Sequence, residues 1–163
     1  MADHHAPREQ MRPVLASLLA SAALGTSACS DPFGGAGHIS KKIGDMARDS
    51  NVSTIEVARL TSFGWDHMHF FKPGASKQEV CDFIGADKRV CDQIVRDESR
   101  EGVSMTIAFS LKHRMTHVEL HLLENGRFNI RPTAEGVEKS AAVFAVHRET
   151  APDGKTVIAL EQK

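Results

Sequence analysis

From Val103 to Ser110 the chain alternates without a break, with Val103, Met105, Ile107 and Phe109 on one side and Ser104, Thr106, Ala108 and Ser110 on the other. A period of two is the mark of a half-buried strand, because successive side chains point to opposite faces. Leu111 to Arg114 supplies a polar turn. The alternation then resumes with Val118, Leu120 and Leu122 facing one way and His117, Glu119 and His121 the other. Asn125-Gly126 reads as a tight hairpin leading into a strand from Arg127 to Ile130. Ala142–His147 and Thr156–Leu160 form a last pair of strands joined through Pro152-Asp153-Gly154.

The N-terminal half carries helical signals. Ser76-Lys77-Gln78-Glu79 is a capping box, Val80, Phe83 and Ile84 fall on one helical face, and Gly85 suits a left-handed C-terminal position. Asp87 starts a second short helix with Val90, Ile94 and Val95, which brings Cys91 near Cys81. Ser40 is placed to cap a short helix with Ile43, Met46 and Ala47 on one face, weakened by Gly44. Ser53–Leu60 fits either a helix, by the Ser53-x-x-Glu56 box, or a strand, by the alternation of Ile55 and Val57. Gly64–Phe71 reads as a strand ending at the Pro73-Gly74 turn. The expected fold is α+β: an antiparallel sheet of about five or six strands with two or three short helices on one face, and a polar outer face meeting solvent or a partner.

Ahead of this lies a different kind of segment. Pro13–Ala28 is uncharged and mostly apolar, follows Arg12, and ends in small residues before Cys29. It is too short and too rich in Ala, Ser and Gly for a membrane span of about 20 apolar residues, and lacks the polar face of an amphipathic helix. The layout is that of an export signal, with Met11 as a second possible start. Thr26-Ser27-Ala28-Cys29 resembles the bacterial lipobox, with Thr26 where Leu is usual; ordinary cleavage fits the same small residues. The expected layout is a signal over residues 1–28, acylation of Cys29, a Gly-rich tether over residues 29–38, and a single domain over residues 39–163. That places the domain in the periplasm of a bacterial cell envelope, attached to the membrane through lipid. Three cysteines then resolve into one acylated residue and an even pair, Cys81 and Cys91, for which an oxidising compartment favours a disulfide over two free thiols.

A formal net charge of -1 offers no basic field to nucleic acid, and one Trp with no Tyr argues against a stacking platform for single strands or sugars. The chain lacks a nucleophile elbow, a phosphate-binding glycine loop or a deaminase signature, so no catalytic set and no cofactor is expected. Asp66 beside Trp65 reads as a hydrogen-bonding partner next to a packed ring. Histidine is the enriched residue type. His67 and His69 share a face of one strand, and His117, Glu119 and His121 share a face of another; if the strands were adjacent and in register, the five would offer N and O ligands to Zn²⁺. The other reading is an ordinary polar sheet face.

Phe63-Gly64-Trp65-Asp66, Phe70-Phe71-Lys72-Pro73-Gly74 and Ser76–Gly85 followed by a β-rich tail resemble a set of small, uncharacterised bacterial envelope lipoproteins over about Ser53 to His147. That likeness implies a strand over Ile55–Leu60. The proline-glycine turn and capped helix also resemble the small outer-membrane assembly lipoproteins, with Ala75 where Met usually follows the turn. Neither resemblance implies an activity. The chain is therefore expected to be an envelope lipoprotein with a non-enzymatic domain that binds a protein or an envelope component; a histidine-based metal-binding protein and an immunity- or inhibitor-type partner are the alternatives.

Overall fold

A computed structural model describes residues 37–130 and 133–163. The expected signal, Cys29 and nearly all of the tether lie outside the described residues. The elements in chain order are α1 (His38–Arg48), β1 (Thr54–Glu56), β2 (His67–Phe70), α2 (Lys77–Ile84), α3 (Lys88–Ile94), β3 (Ser104–Leu111), β4 (Arg114–Leu122), β5 (Arg127–Asn129), β6 (Val137–Glu138), β7 (Val143–Thr150) and β8 (Thr156–Gln162). Short 3₁₀ turns occupy Val57–Arg59, Leu123–Asn125 and Lys139–Ala141. Among the described residues no helix is long and apolar enough to cross a membrane.

The α+β class holds, with the strands divided between two four-stranded sheets rather than gathered in one. One runs β1-β7-β8-β5 and the other β4-β3-β2-β6. All pairings are antiparallel except β5 with β8. Both sheets send alternate side chains into one core: Met68 and Phe70 from β2, Met105, Ile107 and Phe109 from β3, Phe144 and Val146 from β7, Ile158 and Leu160 from β8. Phe70 touches both Phe128 and Phe144 edge to face, with centroids 4.9 and 6.2 Å apart, joining the sheets through aromatic edges.

The Ser53-x-x-Glu56 capping box does not form, because Thr54–Glu56 is a strand and the 3₁₀ turn after it has no side-chain cap. The strand implied by the resemblance stops at Glu56, and Val57–Arg59 turns into a 3₁₀ helix with Val57 fully buried. The strand expected over Gly64–Phe71 shortens to His67–Phe70.

Asn125-Gly126 does not make the expected hairpin. Asn125 is buried and its side chain donates to Ser40 Oγ and accepts from Arg48, so the segment carries the chain from β4 across to the other sheet, where β5 pairs with β8. The tight hairpin forms instead between β3 and β4, where Lys112 and His113 both adopt positive φ. Asp66 stabilises that turn by accepting from the Lys112 N–H at 2.7 Å, a bond that, with His67 beside it, lowers the Asp66 pKa.

Helix α1 lies against the main core through Ile39, Ile43 and Ala47. Its first residue, His38, falls within the expected tether, and Ser40 is not its cap. Gly37 precedes the helix without a capping side chain, and Glu119 of β4 fills that role from another strand, accepting from the N–H groups of Ile39 (3.3 Å) and Ser40 (2.8 Å). Ser40 is buried in the first turn, where its hydroxyl accepts from the Leu122 N–H. At the other end Arg148 of β7 donates to the carbonyls of Ala47, Asp49 and Val52 at 2.7 to 2.8 Å. A negative group at the N-terminus and a positive one at the C-terminus complement the helix dipole.

Helices α2 and α3 lie on the opposite face of the β4-β3-β2-β6 sheet and follow their sequence signals closely. Ser76 and Glu79 form the capping box, Gly85 ends α2 at φ 69°, and Asp87 caps α3. The Cys81 and Cys91 side chains lie at disulfide distance with Cα atoms 5.6 Å apart. A loop of this size gives about 2–3 kcal/mol in the chain-entropy account. The pair packs with Val80 and Val95 in a small second cluster.

Gly44 of α1 faces Asn125 so closely that a Cβ there would collide with the Asn125 side chain. Gly44→Ala is therefore expected to destabilise the fold by about 1–3 kcal/mol in urea denaturation, although Gly to Ala in a helix interior ordinarily stabilises by about 1 kcal/mol. A gain in stability would show that this contact is loose.

Candidate functional site

Strand register decides what the histidines do. Met68 pairs with Phe109 and Phe109 with His117, whereas His67 and His69 pair with Ser110 and Ala108. His67 and His69 therefore lie on one face of the sheet, and His117, Glu119 and His121 on the other. The five residues do not form a common site, which corrects the metal-binding alternative as drawn. Among the described residues no group of three or more His, Cys, Asp or Glu is placed to hold a metal ion.

Nor is the face bearing His117, Glu119 and His121 an outer one. It turns inward beneath α1. The Glu119 side chain is 5 % exposed and is occupied by the α1 N–H groups and by His117, whose Nε2 donates to it at 2.9 Å. His121 is fully buried against Phe128 and donates from Nε2 to the Gly126 carbonyl at 2.6 Å, leaving Nδ1 without a partner. Burial disfavours its charged form and pushes its pKa down to about 4.

The other face carries the candidate site. Two adjoining hollows, of about 390 and 540 Å³, share His69, Phe83 and Ala134. The larger is lined also by His67, Ser110, His113, Met115 and Glu135, the smaller by Phe71, Ala75 and the Lys72–Glu79 ion pair. Concave sites of a few hundred Å³ that combine an apolar wall with a few convergent polar groups are the usual form of a small-ligand pocket. The local fold builds it simply. Residues of β2 and β3 with the same parity place His69 and Ser110 side by side, their Nε2 and Oγ hydrogen-bonded at 2.9 Å. The capping box and Gly85 hold α2 so that Phe83, expected on the buried helical face, stands 40 % exposed at the mouth, 5.0 Å from the His69 ring.

His69 is 7 % exposed, and both burial and the neighbouring His67 lower its pKa, so it sits in the site as a neutral imidazole. Its Nδ1 has no partner and lies against Gly136, whose positive φ and close approach exclude a side chain. Without an acid at Nδ1 the Ser110–His69 pair lacks the orienting third member of a hydrolytic triad. The arrangement offers hydrogen bonds of either sense from neutral groups.

Sequence reasoning singled out His67 and His69 but not Ser110, His113, Met115 or Glu135. Ser110 and Met115 share the face of His69 only through strand register, and His113 and Glu135 come from the β3–β4 turn and the loop before β6. Asp66 accepts from the hairpin turn and from His67, and Trp65 is buried with its Nε1 donating to Thr61, so that motif is structural. Comparison with protein-family models, curated proteins and solved structures found no match.

The buried neutral His121 makes stability depend on pH. Its folded pKa of about 4 lies below the ordinary 6.5, so the unfolded chain binds the proton first as pH falls, and stability present above 6.5 is lost progressively toward 4. Unfolding free energies from urea denaturation at pH 7 and pH 5 are expected to differ by about 2 kcal/mol from this group alone, His69 adding in the same direction. Equal stability at both values would contradict burial of these imidazoles.

Proposed function

We propose that this chain is a bacterial cell-envelope lipoprotein, attached to the membrane through acylated Cys29, whose α+β domain acts by binding a ligand at the His69–Phe83 cleft. The observation that carries the binding reading is the pair of adjoining hollows in which a half-exposed aromatic ring meets buried, neutral hydrogen-bonding groups. The Cys81–Cys91 pair at disulfide distance supports an oxidising compartment, the one in which a lipidated domain would fold. The eight residue-to-residue steps from Cys29 to Gly37 span about 29 Å at most when extended, so an acylated Cys29 keeps the domain at the membrane surface.

Binding of this kind needs no catalytic residue and no cofactor. The polar groups of the cleft fit recognition: they are held by strand pairing and by packing, with no acid aligned behind the serine–histidine pair.

Two variants test the two halves of this function. Cys29→Ala is expected to move the protein from the detergent-extracted membrane fraction to the soluble one, and retention in the membrane would refute the anchor. In that soluble form, a set of small neutral fragments followed by ¹⁵N-detected NMR is expected to shift amides at His69, Phe83 and Ser110, with the shifts lost in Phe83→Ala. Fragments that gather elsewhere on the domain would refute the cleft as its binding site.

A further inference from the structure

Strands β2 and β3 are antiparallel neighbours that a tight turn would have sufficed to join, yet all of residues 71–103 intervene. Connections beyond about 12–15 residues in a compact domain commonly serve as lids or binding loops. This one has its own small core, Val80, Cys81, Cys91 and Val95, and its own closure in the Cys81–Cys91 pair at disulfide distance. Its two ends are tied to each other, Ser99 donating to the Ala75 carbonyl at 2.9 Å and Gly74 packing on Glu101. Its small core meets the sheet at Val118 of β4, and Phe83 meets His69 of β2.

The β3 strand that it covers is polar on this face, although its β4 partners there, Val118, Leu120 and Leu122, are apolar. Ser104, Thr106, Ala108 and Ser110 point outward along β3, all buried, beside His69 of β2. A strand buried on both sides ordinarily presents apolar residues to both. Two polar atoms here have no partner at all, Thr106 Oγ1 and His69 Nδ1. Thr106 opens at its far side into a separate hollow of about 460 Å³ between Gln93–Asp97 and the β4 edge, while Ser110 and His69 open into the cleft. The stripe thus runs under the α2–α3 unit from one hollow to the other.

We propose that residues 71–103 form a lid and that the hydroxyl stripe beneath it is the inner floor of the ligand cleft, which takes a neutral, hydroxyl-bearing ligand of the saccharide kind. The inference rests on the binding function proposed above and adds its extent and its ligand class. Serine, threonine and neutral imidazole each donate and accept, as sugar hydroxyls do. Among the described residues lining the cleft, Lys72 is paired with Glu79, and Glu135 adds a negative charge, so an anionic ligand finds no free cation there. Aromatic residues are few in the chain, but Phe71 and Phe83 meet edge to face at 5.2 Å at the cleft mouth, where a sugar face can lie on the ring. The unpartnered Thr106 hydroxyl is a group held at a cost to stability, as binding residues often are.

The test uses the Cys29→Ala protein with the N-acetylglucosamine dimer as probe, followed by calorimetry and thermal unfolding. Thr106→Val keeps the shape and removes the orphan hydroxyl. It is expected to raise Tm by about 2–4 °C and to weaken dimer binding about tenfold, while Phe83→Ala abolishes binding. A lower Tm in Thr106→Val, or unchanged affinity, would overturn the extension beneath the lid and leave the outer cleft standing. Absence of dimer binding to the parent protein, with neutral fragments still shifting His69 and Phe83, would overturn the saccharide class alone. Fragments that also miss the cleft would overturn the proposed function with it.

Discussion

Helix α1 is held at its two ends by charged side chains from different sheets, and the rest of the fold is arranged around that clamp. Glu119 reaches its first turn from β4, and Arg148 reaches its last carbonyls from β7. Eleven residues of helix therefore bridge two sheets that also share one hydrophobic core, aromatic edges and the β4–β5 crossing. A carboxylate this deeply buried needs its full set of donors, which the α1 N–H groups and His117 supply. Because the helix occupies the inward face of β4, the outward face is left for the α2–α3 unit. The candidate cleft is a consequence of that division of the sheet.

Local signals in the chain predicted the elements whose causes are local. The Ser76 capping box, the Gly85 terminus, the Asp87 cap, a strand over Ser104–Ser110 and the last strand pair all appear as their residues suggest. Where expectation and structure part, a tertiary contact has overridden a local preference. Asn125-Gly126 has the composition of a hairpin, but the Asn125 amide is engaged by Ser40 and Arg48 and Gly126 lies against Leu160, so the pair serves a sheet crossing. Ser40 has the chemistry of a cap, but Glu119 takes that place from a distant strand, and Ser40 turns inward to bond Leu122 and Asn125. No pattern within either segment announces these partners.

The same distinction governs the site. Alternation along β4 correctly placed His117, Glu119 and His121 on one face and Val118, Leu120 and Leu122 on the other, but polarity suggested the wrong face for solvent. Both faces of the sheet are covered, so polarity alone did not orient it, and the choice was made by α1 and by the lid. His69 and Phe83 were visible as a strand histidine and a helical aromatic; their meeting at 5.0 Å depends on how α2 seats over β2, which is a property of the assembled layer. Polar residues buried in the stripe of β3 appeared in the sequence only as the expected solvent face of a half-buried strand.

Glu119 is the cap that fixes α1 and thereby the two faces of the sheet. Chemical denaturation of Glu119→Ala, with far-ultraviolet circular dichroism of the folded baseline, measures this. Loss of about 2–4 kcal/mol together with reduced helical signal is predicted, since two helix N–H groups and the His117 donor lose a buried acceptor. A change below about 0.5 kcal/mol with the helical signal intact would contradict it, because surface substitutions without a structural partner have effects of that size.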